Sequence, residues 1–281
     1  MEGEIRDLRL RLEEKQILPT LAVVRVGAKP GDISYEKGIR KKMDALSIAV
    51  CSVALSPEAK ERELIETIQQ LSADKGIHGI LLMQPLPAGM NAGRVKAAIA
   101  PEKDVDGATL TNLGHVLAGN TEGYSYCAPG AVMALLDYYG IPLKGANVVI
   151  IGSGLVVGRP LALLLADRFA TVTMTNIYSK EVPSISKRAD ILISAAGVAG
   201  LVDASYVSEG QIVIDVGTSR KEGKICGDVN WEAIEPIVEA ATPTPGGIGG
   251  ITTTVLAKHV VEACAKVNGV PVVSCQNVDN A

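Results

Sequence analysis

Aromatic side chains are scarce in this sequence: one Trp, one Phe and seven Tyr make up 3% of 281 residues. Surfaces for single-stranded nucleic acid stack bases on aromatic rings, so the shortage argues against such a surface. Positive charge is also short. Twenty-seven Lys and Arg stand against 31 Asp and Glu, a formal net charge of −4 with a pI near 5.5. No global basic field favours a nucleic-acid partner, although a local basic pocket for an acidic small molecule stays open. Long apolar runs are missing. The best, Val148 to Phe169, is broken by Arg159, Asp167, Arg168 and several glycines, so no membrane span is expected. The N-terminal MEGEIRDLRLRLEEK is charged and helical in pattern, unlike a secretory leader. The five cysteines (51, 127, 226, 264 and 275) form no CxxC pair. They read as reduced thiols of a cytoplasmic protein. His78, His115 and His259 lack metal-ligand spacing, read as ordinary packing or surface residues, and no metal is expected.

What is present is enough apolar matter for a core. Hydrophobic residues are 47% and charged residues 21%, which excludes disorder. The length fits about two domains. Helical and β-branched segments alternate. Helices are expected at Glu4–Glu14, Tyr35–Leu46, Pro57–Leu71, Gly130–Tyr139, Val157–Arg168 and Thr252–Lys266. Strands are expected at Thr20–Val26, Ile48–Leu55, Ile77–Met83, Asn147–Ile151, Ala170–Thr175, Asp190–Ser194 and Gln211–Val216. Such alternation specifies an α/β fold with parallel sheets and crossover helices.

Four motifs carry the chemistry. Gly152-Ser153-Gly154-Leu155-Val156-Val157-Gly158 lies between a β-branched strand and an apolar helix. Glycines there let the backbone approach a pyrophosphate at the helix N-terminus, although a merely tight strand-to-helix turn has the same look. The spacing is G-x-G-x-x-x-G rather than G-x-G-x-x-G. The acidic residue that usually holds the ribose hydroxyls about 20 residues on is absent from Thr171-Val172-Thr173-Met174-Thr175-Asn176. Next, Asp104-Val105-Asp106 within PEKDVDG would point its carboxylates to opposite sides if extended, one into a cleft and one into the loop. A solvated acidic turn is the plain alternative. Gln84, before Pro85-Leu86-Pro87, ends a buried strand, where open α/β sheets place ligands, and offers both a donor and an acceptor. Finally, Thr242 to Gly250 concentrates Gly and Pro before a helix, either as rigid backbone against a ligand or as a connector.

Taken in order, the helix at Tyr35, QPLPAGM, PEKDVDG, VVIIGSGLVVGRPLALLL and TPTPGGIGG resemble the methylenetetrahydrofolate dehydrogenase/cyclohydrolase family, from about Leu18 to Val267. The resemblance implies a folate-side α/β domain of residues 1–126 with 252–281 and a Rossmann domain of residues 127–251, with a cleft between them. It implies a homodimer, tetrahydrofolate one-carbon derivatives as substrates, and a nicotinamide cofactor, NADP in preference to NAD. By the same resemblance Tyr35 lies along the folate ring, and Gln84 and Asp106 bind the pterin side. Gly152, Ser153, Gly154 and Gly158 cradle the pyrophosphate with Arg159 nearby, and Thr175 and Asn176, at the end of the next strand, also bind the cofactor. Gly246, Gly247 and Ile248 line the cleft.

Departures from the family pattern matter equally. Its Tyr-x-x-x-Lys reads Tyr35 to Ile39 here, its G-R-S reads Gly152-Ser153-Gly154, and its Pro-Cys-Thr-Pro reads Tyr126-Cys127-Ala128-Pro129. Lys42 shares a helical face with Tyr35 and Ile39. It stands about 4.5 Å beyond position 39 at 1.5 Å per residue. The expected activity is oxidation of 5,10-methylenetetrahydrofolate with cyclohydrolase activity weak or absent. Rival readings are a bifunctional enzyme using Lys42, a shikimate dehydrogenase-like oxidoreductase, and a non-enzymatic nucleotide-binding relative.

Overall fold

The computed structural model describes residues 1–120, 122–221 and 224–272. The chain forms two compact units, Met1–Thr109 with the chain from Leu256 onward, and Leu110–Val255.

In the first unit, α1 (Glu2–Glu13) buries Ile5, Leu8 and Leu12, one helical stripe. Then follow β1 (Thr20–Val26), α2 (Pro30–Ala45), β2 (Ala49–Leu55), α3 (Glu61–Ala73), β3 (Gly79–Leu82) and α4 (Ala92–Lys96). The strands form one parallel sheet in the order β2-β1-β3. The central strand is buried on both faces from Leu21 to Val24, as a parallel strand covered by helices must be. One face packs Ala22, Val24, Ile80 and Leu82 against Leu64 and Ile68 of α3 and Val95 of α4. Helix α2 starts five residues before the predicted Tyr35. Pro30 occupies its first turn, where a missing N–H costs nothing.

The second unit contains α5 (Leu110–Leu117), α6 (Cys127–Tyr138), β4 (Asn147–Ile151), α7 (Gly158–Ala166), β5 (Thr171–Thr175), α8 (Val182–Ser186), β6 (Ile191–Ser194) and β7 (Ile212–Asp215). A small antiparallel pair, β8 (Ser219–Lys221) and β9 (Lys224–Cys226), precedes α9 (Trp231–Ile234) and β10 (Ala240–Ala241). Five parallel strands run in the order β10-β7-β6-β4-β5. The registers pair Ile151 with Thr175 and with Ser194, and Ser194 with Asp215, so these strands end together along one edge. Chain order reverses at β4, whose successors lie on opposite sides. That makes the end of β4 a topological switch point, where open α/β sheets bind ligands.

Helix α10 (Ile248–Val267) contributes residues to both units. It begins four residues before the predicted Thr252. Gly249 and Gly250 therefore fall in its first turn behind the buried Ile248 rather than in the preceding loop.

Candidate functional site

The glycine motif forms the turn that leaves β4. Gly152 has φ +115°, and a Cβ there would strike the Ala195 carbonyl. A Cβ on Gly158, the first residue of α7, would strike the Gly152 carbonyl. Gly154, in contrast, faces open space. The turn is thus closed to side chains on its inner side and open above the positive end of α7, the geometry that accepts a phosphate. The Arg159 Nε donates to the Ser153 carbonyl at 3.0 Å, which lays the guanidinium back over the turn. The Gly152 N–H donates to the Thr175 carbonyl at 3.0 Å, joining the turn to the end of β5. Thr175 is buried and its hydroxyl donates to the Ile150 carbonyl at 3.3 Å, so that group serves the sheet. Asn176 is exposed; its side-chain oxygen accepts from the Tyr178 N–H at 2.9 Å and its own N–H donates to Ser179 Oγ.

Two buried carboxylates shape the neighbouring loops, and no local motif announces them. Asp228 accepts from Ser194 Oγ (2.9 Å) and from the N–H groups of Ala196 (2.7 Å), Gly197 (3.1 Å) and Val198 (2.8 Å). That loop carries the Ala195 carbonyl against Gly152. Asp215, at the end of β7, accepts from Gly217, Asp228 and Val229 at 3.0–3.1 Å, and burial pushes its carboxyl above the ordinary aspartate range. The Asp215 N–H donates to Thr242 Oγ1 at 2.8 Å, which ties β7 to the loop that carries Gly246 and Gly247 and leads into Ile248 of α10. Gly246 has φ +110°, and a Cβ on Gly247 would crowd the Pro243 carbonyl.

In the first unit, the segment before Asp106 is not extended. Pro101–Lys103 is a 3-10 helix and the residues after it turn, so alternation along a strand does not apply. Asp104 is fully buried and accepts from the N–H groups of Ala108 (3.0 Å) and Thr109 (2.7 Å). The buried Lys103 ammonium donates to the Asp74 carbonyl at 2.6 Å, at the end of α3; burial lowers its pKa. Val105 packs where a side chain on Gly79 would stand, and its carbonyl meets His259 Nδ1 at 2.8 Å. Asp106 is half-buried at the apex.

Tyr35 is exposed in the first half of α2. Gln84 is exposed just beyond β3, and the Lys29 ammonium, unremarked by any motif, donates to the next residue's carbonyl, Pro85, at 3.3 Å. Ile39 is fully buried on α2. The turn after that helix puts Ser47 at φ +55°, a left-handed position that suits glycine. Lys42, on the last turn, is drawn to α1: its Nζ lies 2.9 Å from Glu2 Oε1, and this bond lowers the Glu2 carboxyl pKa.

Sheet order, glycine turn and helix terminus define a two-unit α/β protein whose second sheet is of the dinucleotide-binding type. The family models agree. Residues 1–106 match the tetrahydrofolate dehydrogenase/cyclohydrolase catalytic domain and residues 126–268 its NAD(P)-binding domain. The bifunctional protein FolD of Carboxydothermus hydrogenoformans is 42% identical over 96% of this chain and 93% of its own length. The crystal structure of bifunctional FolD from Campylobacter jejuni superposes with a TM-score of 0.92 at 36% identity, covering 95% of each chain. That of the Trypanosoma brucei dehydrogenase-cyclohydrolase, complexed with NADP and an inhibitor, gives 0.90 at 29% identity over 95% and 94%. The chain belongs to the tetrahydrofolate dehydrogenase/cyclohydrolase family, which displaces the shikimate dehydrogenase-like alternative.

Proposed function

We propose that this protein is a 5,10-methylenetetrahydrofolate dehydrogenase in which cyclohydrolase activity is weak or absent. The observation that carries the reading is the pairing of an intact glycine turn at the switch point with a buried, untitratable Ile39 at the family's lysine position. Hydride leaves the methylene carbon between N5 and N10, and both nitrogens stabilise the methenyl cation that results. No proton has to leave with it, so no general base is intrinsically required. The chain's task is to orient the ligands and tolerate positive charge. The Asp106 carboxylate balances the developing cation. Gln84 pairs with donors and acceptors on the pterin, and Tyr35 lies along the ring. Gly152, Ser153, Gly154 and Gly158 hold a pyrophosphate, Gly246, Gly247 and Ile248 the remainder of the ligands, and the nicotinamide, when bound, supplies the hydride acceptor.

NADP is the favoured cofactor. Ser153 brings no charge to a 2′-phosphate, but the Arg159 guanidinium lies over the same turn, and no carboxylate occurs from Thr171 to Asn176 to repel the anion. A homodimer is supported by β5, an edge strand that carries exposed Met174 and is flanked by exposed Phe169, Ile177 and Tyr178. A cytoplasmic setting is supported by the free state of Cys51, Cys127, Cys226 and Cys264; Cys275 lies outside the described residues. Among the described residues no helix is long and apolar enough to cross a membrane.

The deciding assay supplies methylenetetrahydrofolate with NAD or NADP and follows reduced cofactor and methenyltetrahydrofolate separately. Formation of both products together is expected. No reduced cofactor from either nucleotide defeats the proposal, and a more than tenfold preference for NAD in kcat/KM defeats the choice of NADP.

A further inference from the structure

The turn that presents Asp106 is fastened from several sides. Lys103 ties it to the end of α3, the Asp104 carboxylate gathers the two amides that follow, and the Val105 side chain fills the notch left by Gly79. These bonds fix the segment before and after Asp106. The peptide plane that joins Val105 to Asp106 is held by a different group, His259 of α10, whose Nδ1 lies 2.8 Å from the Val105 carbonyl. A peptide unit is planar. Fixing that carbonyl therefore fixes the direction in which the next residue leaves the chain.

We propose that His259 is a positioning residue for the reaction: by donating from Nδ1 to the Val105 carbonyl it aims the Asp106 carboxylate. A carbonyl oxygen only accepts, so the ring carries its proton on Nδ1. The ring is also suited to staying neutral, because burial drives its pKa down to about 4 even though the Val105 bond and Asp104 pull upward. An uncharged donor holds the Val105 carbonyl without adding positive charge to the turn that presents Asp106. The inference rests on Asp106 belonging to the folate site as proposed above.

Three variants separate the atoms involved. His259→Asn keeps an amide N–H where Nδ1 stands, His259→Gln moves it to the place of Nε2, and His259→Leu removes it. With methylenetetrahydrofolate as varied substrate, Gln and Leu are expected to lose at least about tenfold in kcat/KM, mainly in kcat, while Asn stays within about threefold of the parent. NADP affinity measured by titration calorimetry is expected to stay within about twofold in all three, as befits a residue that acts on the folate side. If the Leu variant does not fold, the comparison of Asn with Gln decides. The proposal is overturned if the Gln variant keeps its kcat/KM within twofold while Asp106→Asn is impaired, or if Asn is as damaged as Gln. A fully active Asp106→Asn enzyme removes the site assignment itself and the inference with it.

Discussion

Removing the carboxylate of Asp228 tests how the second unit holds the loop after β6. Asp228 has no exposed surface and receives four donors: three successive amides, from Ala196 to Val198, and the Ser194 hydroxyl. Hydrogen bonds to a charged group contribute about 1.5–3 kcal/mol each, and bonds sharing one acceptor do not add in full. Asp228→Ala therefore leaves three amides without their acceptor and is expected to cost about 4–6 kcal/mol. Asp228→Asn keeps one acceptor oxygen but turns an NH2 toward an amide, and about 2–3 kcal/mol is expected by the same reasoning. The loop also bears the Ala195 carbonyl packed against Gly152, so its displacement reaches the glycine turn. Urea unfolding of both variants, with NADP titration of the folded protein, measures the two effects. Stability within about 1 kcal/mol of the parent for Asp228→Ala, together with unchanged NADP affinity, would refute the view that this carboxylate organises the loop.

Gly158→Ala drives a methyl group into the Gly152 carbonyl. It should weaken NADP binding at least about 100-fold, measured by calorimetry, while methylenetetrahydrofolate still binds. Asp106→Asn keeps the shape and removes the charge, and a loss of at least roughly tenfold in kcat/KM, or 1.4 kcal/mol, is expected with no change in thermal unfolding. The folded-state pKa of His259 is depressed from 6.5 to about 4, so below the unfolded value the unfolded chain binds the extra proton. Stability is therefore fully present above about pH 6.5 and falls as the pH drops toward 4, by about 3 kcal/mol at 1.36 kcal/mol per pH unit. His259→Asn should flatten that limb in urea titrations across pH 4–7.

Long β-branched runs were legible because a buried parallel strand shows itself in composition: TLAVVRV and NVVII are strands over the very residues predicted. Helix starts were less so. Pro30 and Ile248 open helices inside segments whose Gly and Pro content reads as loop. Short pieces such as α4, α9 and β10 hold too few residues to display a period. Asp104 and Asp106 were visible as a motif, but the burial of Asp104 under the amides of Ala108 and Thr109 depended on a 3-10 turn that strand alternation misrepresents. His259 and Asp228 act on backbone groups far away in sequence, Val105 in one case and Ala196 to Val198 in the other. Nothing local marks such residues, because the bond exists only once the sheet edges are assembled. Lys42 shows the converse: the helical wheel placed it on the face of Tyr35, yet its partner comes from α1.

The fate of the methenyl product turns on the same helix. Opening the methenyl ring by water requires a group that activates water and manages protons as the tetrahedral intermediate collapses. Ile39 has no titratable atom, and in the register proposed above a fully buried hydrocarbon takes the place of the family lysine. Lys42 is one turn further on and its ammonium is engaged by Glu2 at 2.9 Å. An exposed pair of this kind is weak, at most about 1 kcal/mol, so the pairing alone would not imprison the side chain; distance along the helix axis is the larger obstacle. Hydride transfer uses no such group and should survive its absence. Purified methenyltetrahydrofolate added to the enzyme is therefore expected to decay at the uncatalysed rate, unchanged by Lys42→Ala. Ile39→Lys should lower the melting temperature, since it inserts an ammonium at a fully buried position. If it restores no hydrolysis in protein that remains folded, the missing lysine is not the sole cause. Rapid enzyme-dependent decay in the parent would defeat the idea of a dehydrogenase without its second activity. Loss of that decay in Lys42→Ala would assign the proton chemistry to Lys42, and loss in Lys29→Ala would assign it to the ammonium beside Gln84 and Pro85.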